Sequence, residues 1–270
     1  MRWPGQHEAN SLAGSAALVI AHPGHELRVH GWLESAKPQV FILTNGSGSI
    51  SRSRIESSRR VVEESGAQTA SIFGRWSDAQ LYAFVLARDH APLIDLAEEL
   101  SETLAITGVS FVAGDATEGY NPGHDVCRLL IDTAIMIARS RRNRRIASYD
   151  FTLYHHPCHQ AEAGGVGAIS MELDADSFHR KLTAANAYPE LAGEVAAAFQ
   201  KLGVEAFRHE CLRPVVNSSA LKQECEQAPP YERYGERQVA AGKYPQVLRF
   251  REHMRPLASA LWEHARRISA

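Results

Sequence analysis

Two short stretches carry residue types that hold metal ions or move protons. In AALVIAHPGHE, residues 16–26, an apolar run ends abruptly in His22, Pro23, Gly24, His25 and Glu26. The spacing His-x-x-His across a Pro-Gly turn lets two rings converge on one point, and neutral imidazole is the commonest protein ligand for zinc. A hydrogen-bonded turn suits the same spacing, so the pair alone does not decide between them. The second stretch, GDATEGYNPGHD at 114–125, is a polar, Gly-rich loop ending in His124 and Asp125. His124 stands at the mouth of a helix, where N-terminal amides favour an anion nearby.

The elements around these residues decide whether they can meet. An unbroken apolar run reads as a strand buried on both faces, which places His22 and His25 at its carboxyl end, where open α/β sheets bind ligands. QVFILT (39–44), TASIFG (69–74) and the run at 109–113 read as further strands. Helical patterns fill the intervals: 27–37, stopped by Pro38; 53–65, closed by Gly66; 91–104, with Leu93, Leu96, Leu100 and Leu104 in register; and about 125–138. The stretch 76–86 fits neither period. Strands separated by helices imply parallel βαβ crossovers, which put every strand end on one side of the sheet. His22, His25 and His124 can then meet.

The fold class expected is α/β, a Rossmann-like, mostly parallel sheet flanked by helices, with a C-terminal extension. The chain reads as a single domain over 1–270, its core at about 14–190 and its extension at 191–270. SYDFTLY (148–154) and VGAISMEL (166–173) read as later strands, and 174–188 and 193–207 as helices. The extension reads as a tail wrapped on the core, with a cover for the cleft or a dimer face as alternatives.

Composition excludes several classes. With 270 residues, 44% hydrophobic and 22% charged, the chain can bury a full core. A net charge of −2 offers no field for nucleic acid or an anionic membrane, although Arg139 to Arg145 is locally basic and reads as a solvated helix end. Cys127, Cys158, Cys211 and Cys225 lack metal or scaffold spacing and read as free thiols in a reducing compartment. No apolar run has signal-peptide or membrane-spanning length, so a cytoplasmic protein without membrane insertion is expected. A homo-oligomer is left open.

AHPGHE resembles the AHPDDE signature of the LmbE-like, or GlcNAc-phosphatidylinositol de-N-acetylase (PIG-L), family, and NPGHD resembles its later HPDH motif. LTNGSGS is similar to the family's LT-x-G loop, and LDADSFHRKLTAANAY to its late Asp…Lys…Ala segment; together these pieces span roughly residues 16–190. The resemblance implies a Rossmann-like fold with one catalytic zinc that hydrolyses an N-acetyl group from an amino sugar or related glycan conjugate. Carried over residue by residue, the zinc ligands fall on His22, on His25 in place of an Asp, and on His124. Arg54 takes the place of a substrate-contacting arginine.

Besides His25, three positions depart from that pattern. Gly24 stands where the family has its Asp general base, and Asn121 and Gly123 stand where HPDH supplies a histidine and its orienting Asp. Losing a general base costs on the order of 100- to 10,000-fold. Three neutral histidines would leave the charge of zinc uncompensated, which lowers the pKa of its water towards ~7 and partly offsets that loss.

Substitute proton acceptors lie on the same edge: Glu26, Asp125, Asp115 and Glu118. Each also has a structural role open to it as ion-pair partner, helix cap, turn residue or carboxylate orienting a ligand imidazole. Asn121 is a candidate oxyanion donor, and His156, with His155 as the alternative, a candidate replacement for the missing histidine. Asn45 in the Gly/Ser loop, Glu118 and Arg54 are the candidate substrate contacts. The expected activity is zinc-dependent hydrolysis of an amide on an N-acetylated amino sugar or similar small glycan conjugate. The alternative is a metal-binding relative whose catalysis has lapsed, serving as a binding protein or subunit. A nucleotide-binding Rossmann protein is disfavoured, since no GxGxxG follows the first strand.

Overall fold

A computed structural model of the protein describes residues 15–48, 52–157, 167–215 and 228–269. The N-terminal arm, the end of the Gly/Ser loop, Cys158, His159 and Cys225 fall outside these residues. In chain order the elements are β1 (Ser15–Ile20), a 3-10 turn (His25–Val29), α1 (His30–Ala36), β2 (Gln39–Thr44), α2 (Ile55–Glu64), β3 (Gln68–Trp76), α3 (Asp78–Ala87), α4 (Ala91–Ile106), β4 (Val109–Asp115) and α5 (Pro122–Arg142). They continue with β5 (Ala147–Phe151), β6 (Ile169–Glu172), α6 (Ala175–Asn186), α7 (Ala192–Leu202), β7 (His209–Pro214), α8 (Pro230–Ala240), a wide helical turn (Phe250–Met254) and α9 (Arg255–Ser269).

The sheet runs β3-β2-β1-β4-β5-β7-β6. The first five strands are mutually parallel, while β7 is antiparallel to β5 and to β6. It is an α/β fold whose first five strands follow the Rossmann order 3-2-1-4-5, extended by an antiparallel edge. The order reverses between β1 and β4, where Val19 pairs with Gly114, so the chain leaves opposite ways and opens a crevice beyond both strand ends.

Strand alternation divides the core into two layers. Ala17 and Val19 face α4, α5 and α9, whereas Leu18 and Ile20 face α1, α2 and α6. The C-terminal segment is part of the first layer, with Leu257 and Leu261 wholly buried.

Two local readings change. The ambiguous stretch is α3, started by a capping box in which Ser77 accepts from Gln80 N–H and the Gln80 side chain accepts from Ser77 N–H. Helix α5 begins at Pro122 rather than near Asp125, because Asn121 caps it by accepting from Gly123 N–H at 2.8 Å and proline suits a first helical position.

Candidate functional site

The three histidines meet at the β1/β4 crevice. Ring centroids lie 5.4 Å apart for His22 and His25, 5.3 Å for His22 and His124, and 4.5 Å for His25 and His124. His22 and His25 follow β1 through a turn in which Gly24 adopts φ 105°, and His124 occupies the first turn of α5.

Each histidine of the turn is held at Nδ1 by a buried carboxylate. His22 Nδ1 lies 3.0 Å from Asp78 Oδ1 and 2.8 Å from Thr44 Oγ1; His25 Nδ1 lies 3.0 Å from both oxygens of Asp115. An Nδ1–H donated to carboxylate leaves Nε2 with its lone pair, the arrangement that orients ligand imidazoles in metal sites. His22 Nε2 and His124 Nδ1 are buried and have no hydrogen-bond partner. Burial, with His25 and His22 alongside, holds His124 well below the ordinary imidazole range, so it stays neutral. These donors have the chemistry of a divalent-metal site. As the side chains stand, however, no group of three or more His, Cys, Asp or Glu is already placed around a metal among the described residues. The centroid spacing matches a shared ion and the nitrogen placement does not. With His22 and His25 fixed at Nδ1, His124, whose Nδ1 has no partner, is the ring left to turn its nitrogen towards a shared ion.

Asp115 also accepts from Ala21 N–H at 2.8 Å, tying the ends of β1 and β4 together. Burial opposes the charge on Asp78, but hydrogen bonds from His22, Thr44 and Gly48 N–H outweigh it and keep the carboxyl far below its usual range. From the Gly/Ser loop, Gly48 N–H donates to Asp78 Oδ2 at 2.6 Å.

Several of the expected site residues are engaged by neighbouring groups. Glu26 is wholly buried, accepting from Gly24 N–H at 2.7 Å and from the Ser58 hydroxyl, so it braces the turn instead of reaching substrate. Burial raises its pKa. Glu118 is spent on the 153–155 loop, accepting from Leu153 N–H at 2.7 Å, Tyr154 N–H at 3.2 Å and His155 Nδ1 at 2.6 Å, which withdraws it from substrate contact. Asn45 shapes its own loop by accepting from Ser47 N–H at 3.0 Å. Arg54 lies against Gly46 and pairs with Glu194 at 3.2 Å, leaving Nε buried without a partner. Asp125, pushed up to about 7 by burial, accepts a long 3.4 Å bond from Gly119 N–H. Asn121 Oδ1 also accepts from Tyr82 at 2.9 Å. Within the His-rich segment, His156 O accepts from Thr152, and the Tyr154 ring lies 5.8 Å from His124.

Both glycine departures are closed by packing. A Cβ at Gly24 would sit 2.1 Å from Leu191 Cδ1 on a left-handed backbone, and a Cβ at Gly123 would sit 2.7 Å from His22 Nε2. Asp78, Thr44, Tyr82 and Tyr154 were not singled out from the sequence. The capping box Ser77–Gln80 was the available sign for Asp78, since it places that residue in a helix's first turn beyond β3.

No family model matches the chain, and no curated protein does. Among solved structures it is similar to the zinc-inhibited form of teicoplanin deacetylase Orf2, at 12% identity and a TM-score of 0.45, over 74% of this chain and 97% of that one. A deacetylase–bog complex from teicoplanin biosynthesis has 12% identity and a TM-score of 0.48 over the same shares. A40926 pseudoaglycone deacetylase Dbv21 has 14% identity and a TM-score of 0.43, over 84% and 92%. Likenesses this distant leave the chemistry to be read from the site itself. No helix among the described residues is long and apolar enough to cross a membrane.

Proposed function

We propose that the protein hydrolyses the amide of an N-acetylated amino sugar or similar glycan conjugate, using one divalent ion, zinc, held by His22, His25 and His124. The observation that carries this reading is the pair of buried carboxylates, Asp78 and Asp115, each fixing one imidazole by Nδ1 beside nitrogens that lack any partner. Buried polar atoms left unpaired call for an explanation, and a bound cation supplies one. The ion would supply positive charge that acidifies a water and polarises the acyl carbonyl.

The chain's own groups supply the rest. With Glu26 and Glu118 committed to the turn and the 153–155 loop, and Asp115 to His25 and Ala21 N–H, Asp125 and Asn121 flank His124 as the groups for proton transfer and oxyanion binding. The Asn121 oxygen is occupied by Gly123 N–H and Tyr82, and its NH2, already hydrogen-bonded to the Tyr154 phenol, keeps one N–H as the donor. Arg54 stands beside the loop after β2 as the substrate contact.

A second reading, binding without turnover, is favoured by the closure of Gly24 and Gly123, the two positions where proton-handling carboxylates are missing. Metal content of the purified protein and amine release from N-acetylglucosamine, with added zinc and with chelator, separate the two. Zinc-dependent release supports hydrolysis; bound metal without release supports the second reading; failure to bind metal overturns both.

A further inference from the structure

Exposed aromatics gather on one side of the site. Among the described residues six large hydrophobic side chains stand exposed, and four of them are tyrosines: Tyr120, Tyr154, Tyr234 and Tyr244. Tyr120 and Tyr154 are stacked at 4.8 Å and 27°, and Tyr154 is tilted against His124 at 5.8 Å and 31°. The rings form a file leading outward from the histidines. Tyr234 and Tyr244 meet edge to face at 6.4 Å, with Arg237 5.9 Å from the Tyr234 ring.

Three separate stretches build this file. Tyr120 precedes the cap of α5, and Tyr154 rides on the loop that Glu118 pins by its backbone amides. Helix α8 is seated on the same site loop, with Tyr231 N–H donating to Gly119 O at 3.0 Å and Pro229 and Pro230 packed on Gly119. Tyr234 is one turn beyond Tyr231 on that helix and thus shares its face. Asn121, the cap of α5, hydrogen-bonds the Tyr154 phenol, and Tyr234 lies near enough to act on it.

Aromatic side chains left in water beside a site, on backbone already fixed, present apolar faces with polar edges and cost little entropy on binding. A pyranose has the complementary form, with C–H faces and a hydroxyl rim. We propose that the face of Tyr120 turned away from Tyr154, with Tyr154 behind it and Tyr234 continuing it on α8, forms a stacking subsite for a second sugar ring, beyond the ring whose amide meets the histidines. The choice of ligand rests on the function proposed above, and the subsite narrows it: the substrate carries at least two rings.

Titration calorimetry on the full chain, with chelator present so that nothing turns over, compares N-acetylglucosamine with N,N′-diacetylchitobiose. The disaccharide is expected to bind about tenfold more tightly. Tyr120→Ala and Tyr154→Ala should each remove most of that difference, whereas Tyr120→Phe keeps it, and thermal unfolding confirms that each variant is folded. Equal binding of the two sugars, no measurable binding of the disaccharide, or a difference that survives both alanine variants overturns the subsite. The two proposals fail separately. A tyrosine-dependent difference without amine release in zinc leaves the subsite standing and removes the hydrolase; amine release without the difference does the reverse.

Discussion

Asp78 and Asp115 set the state of the two turn histidines. Each accepts the Nδ1 proton of its imidazole, so replacing Asp78 with Asn offers that nitrogen an amide which can donate as well as accept, and the tautomer loses its bias. Partners of this kind are worth 10- to 100-fold in metal affinity. Asp78→Asn is therefore expected to weaken zinc binding by about 10- to 100-fold, read by competition with a chromophoric chelator, while the fold stays intact by circular dichroism. Unchanged affinity would mean that His22 is no ligand. Gly24 is the second informative residue. Restoring an aspartate there forces a side chain onto φ 105° and against Leu191. Gly24→Asp should cost about 1–3 kcal/mol in denaturant unfolding and bring no gain in amine release. An active, undestabilised variant would show that the turn can rearrange to accept a carboxylate.

Helix α1 and the antiparallel edge are joined by a buried ion pair. Glu210 on β7 accepts from Gly31 and Trp32 N–H at the start of α1 and from Lys181 Nζ on α6 at 2.8 Å, and Lys181 also donates to Arg28 O at 2.9 Å. A carboxylate at a helix N-terminus is favourable, but here it lies out of water and depends on its partner. Burial lowers the Lys181 pKa, and the adjacent Glu210 pulls it back up. Lys181→Ala leaves the Glu210 charge unpaired and should destabilise by about 3–5 kcal/mol in urea unfolding. A loss below about 1 kcal/mol, the range of surface pairs, would show that water reaches the carboxylate. None of this coupling was legible from sequence, since Lys181 and Glu210 lie on elements read separately. What could be read was local: the apolar run of β1, the leucine period of α4, and the strand-helix alternation that brings His22 and His124 to one edge. Asp78 stayed hidden because α3 is apolar on every side and shows no face, and the tyrosine file because two loops and a helix from distant parts of the chain compose it.

At the scale of the whole molecule, the C-terminal segment belongs to the core that positions the site. Tyr231, Phe250, Met254, Leu257 and Leu261 are all buried in the same layer as Val19 and Leu130, and α9 lies along α5, the helix that carries His124. Five large side chains at 1.5–3 kcal/mol each amount to on the order of 10 kcal/mol, comparable with the entire stability of an ordinary domain. A chain ending at Ala228 therefore should not keep a native core. It is expected to retain much of its far-ultraviolet circular dichroism, to lose near-ultraviolet signal and to bind a hydrophobic dye, as loosely packed states do. Zinc binding should weaken with it, because α5 loses the layer that holds His124 against the turn. A truncated chain that unfolds cooperatively at the full-length midpoint would instead make residues 229–270 an independent appendage, and would leave Tyr234 without the anchored helix on which the subsite depends.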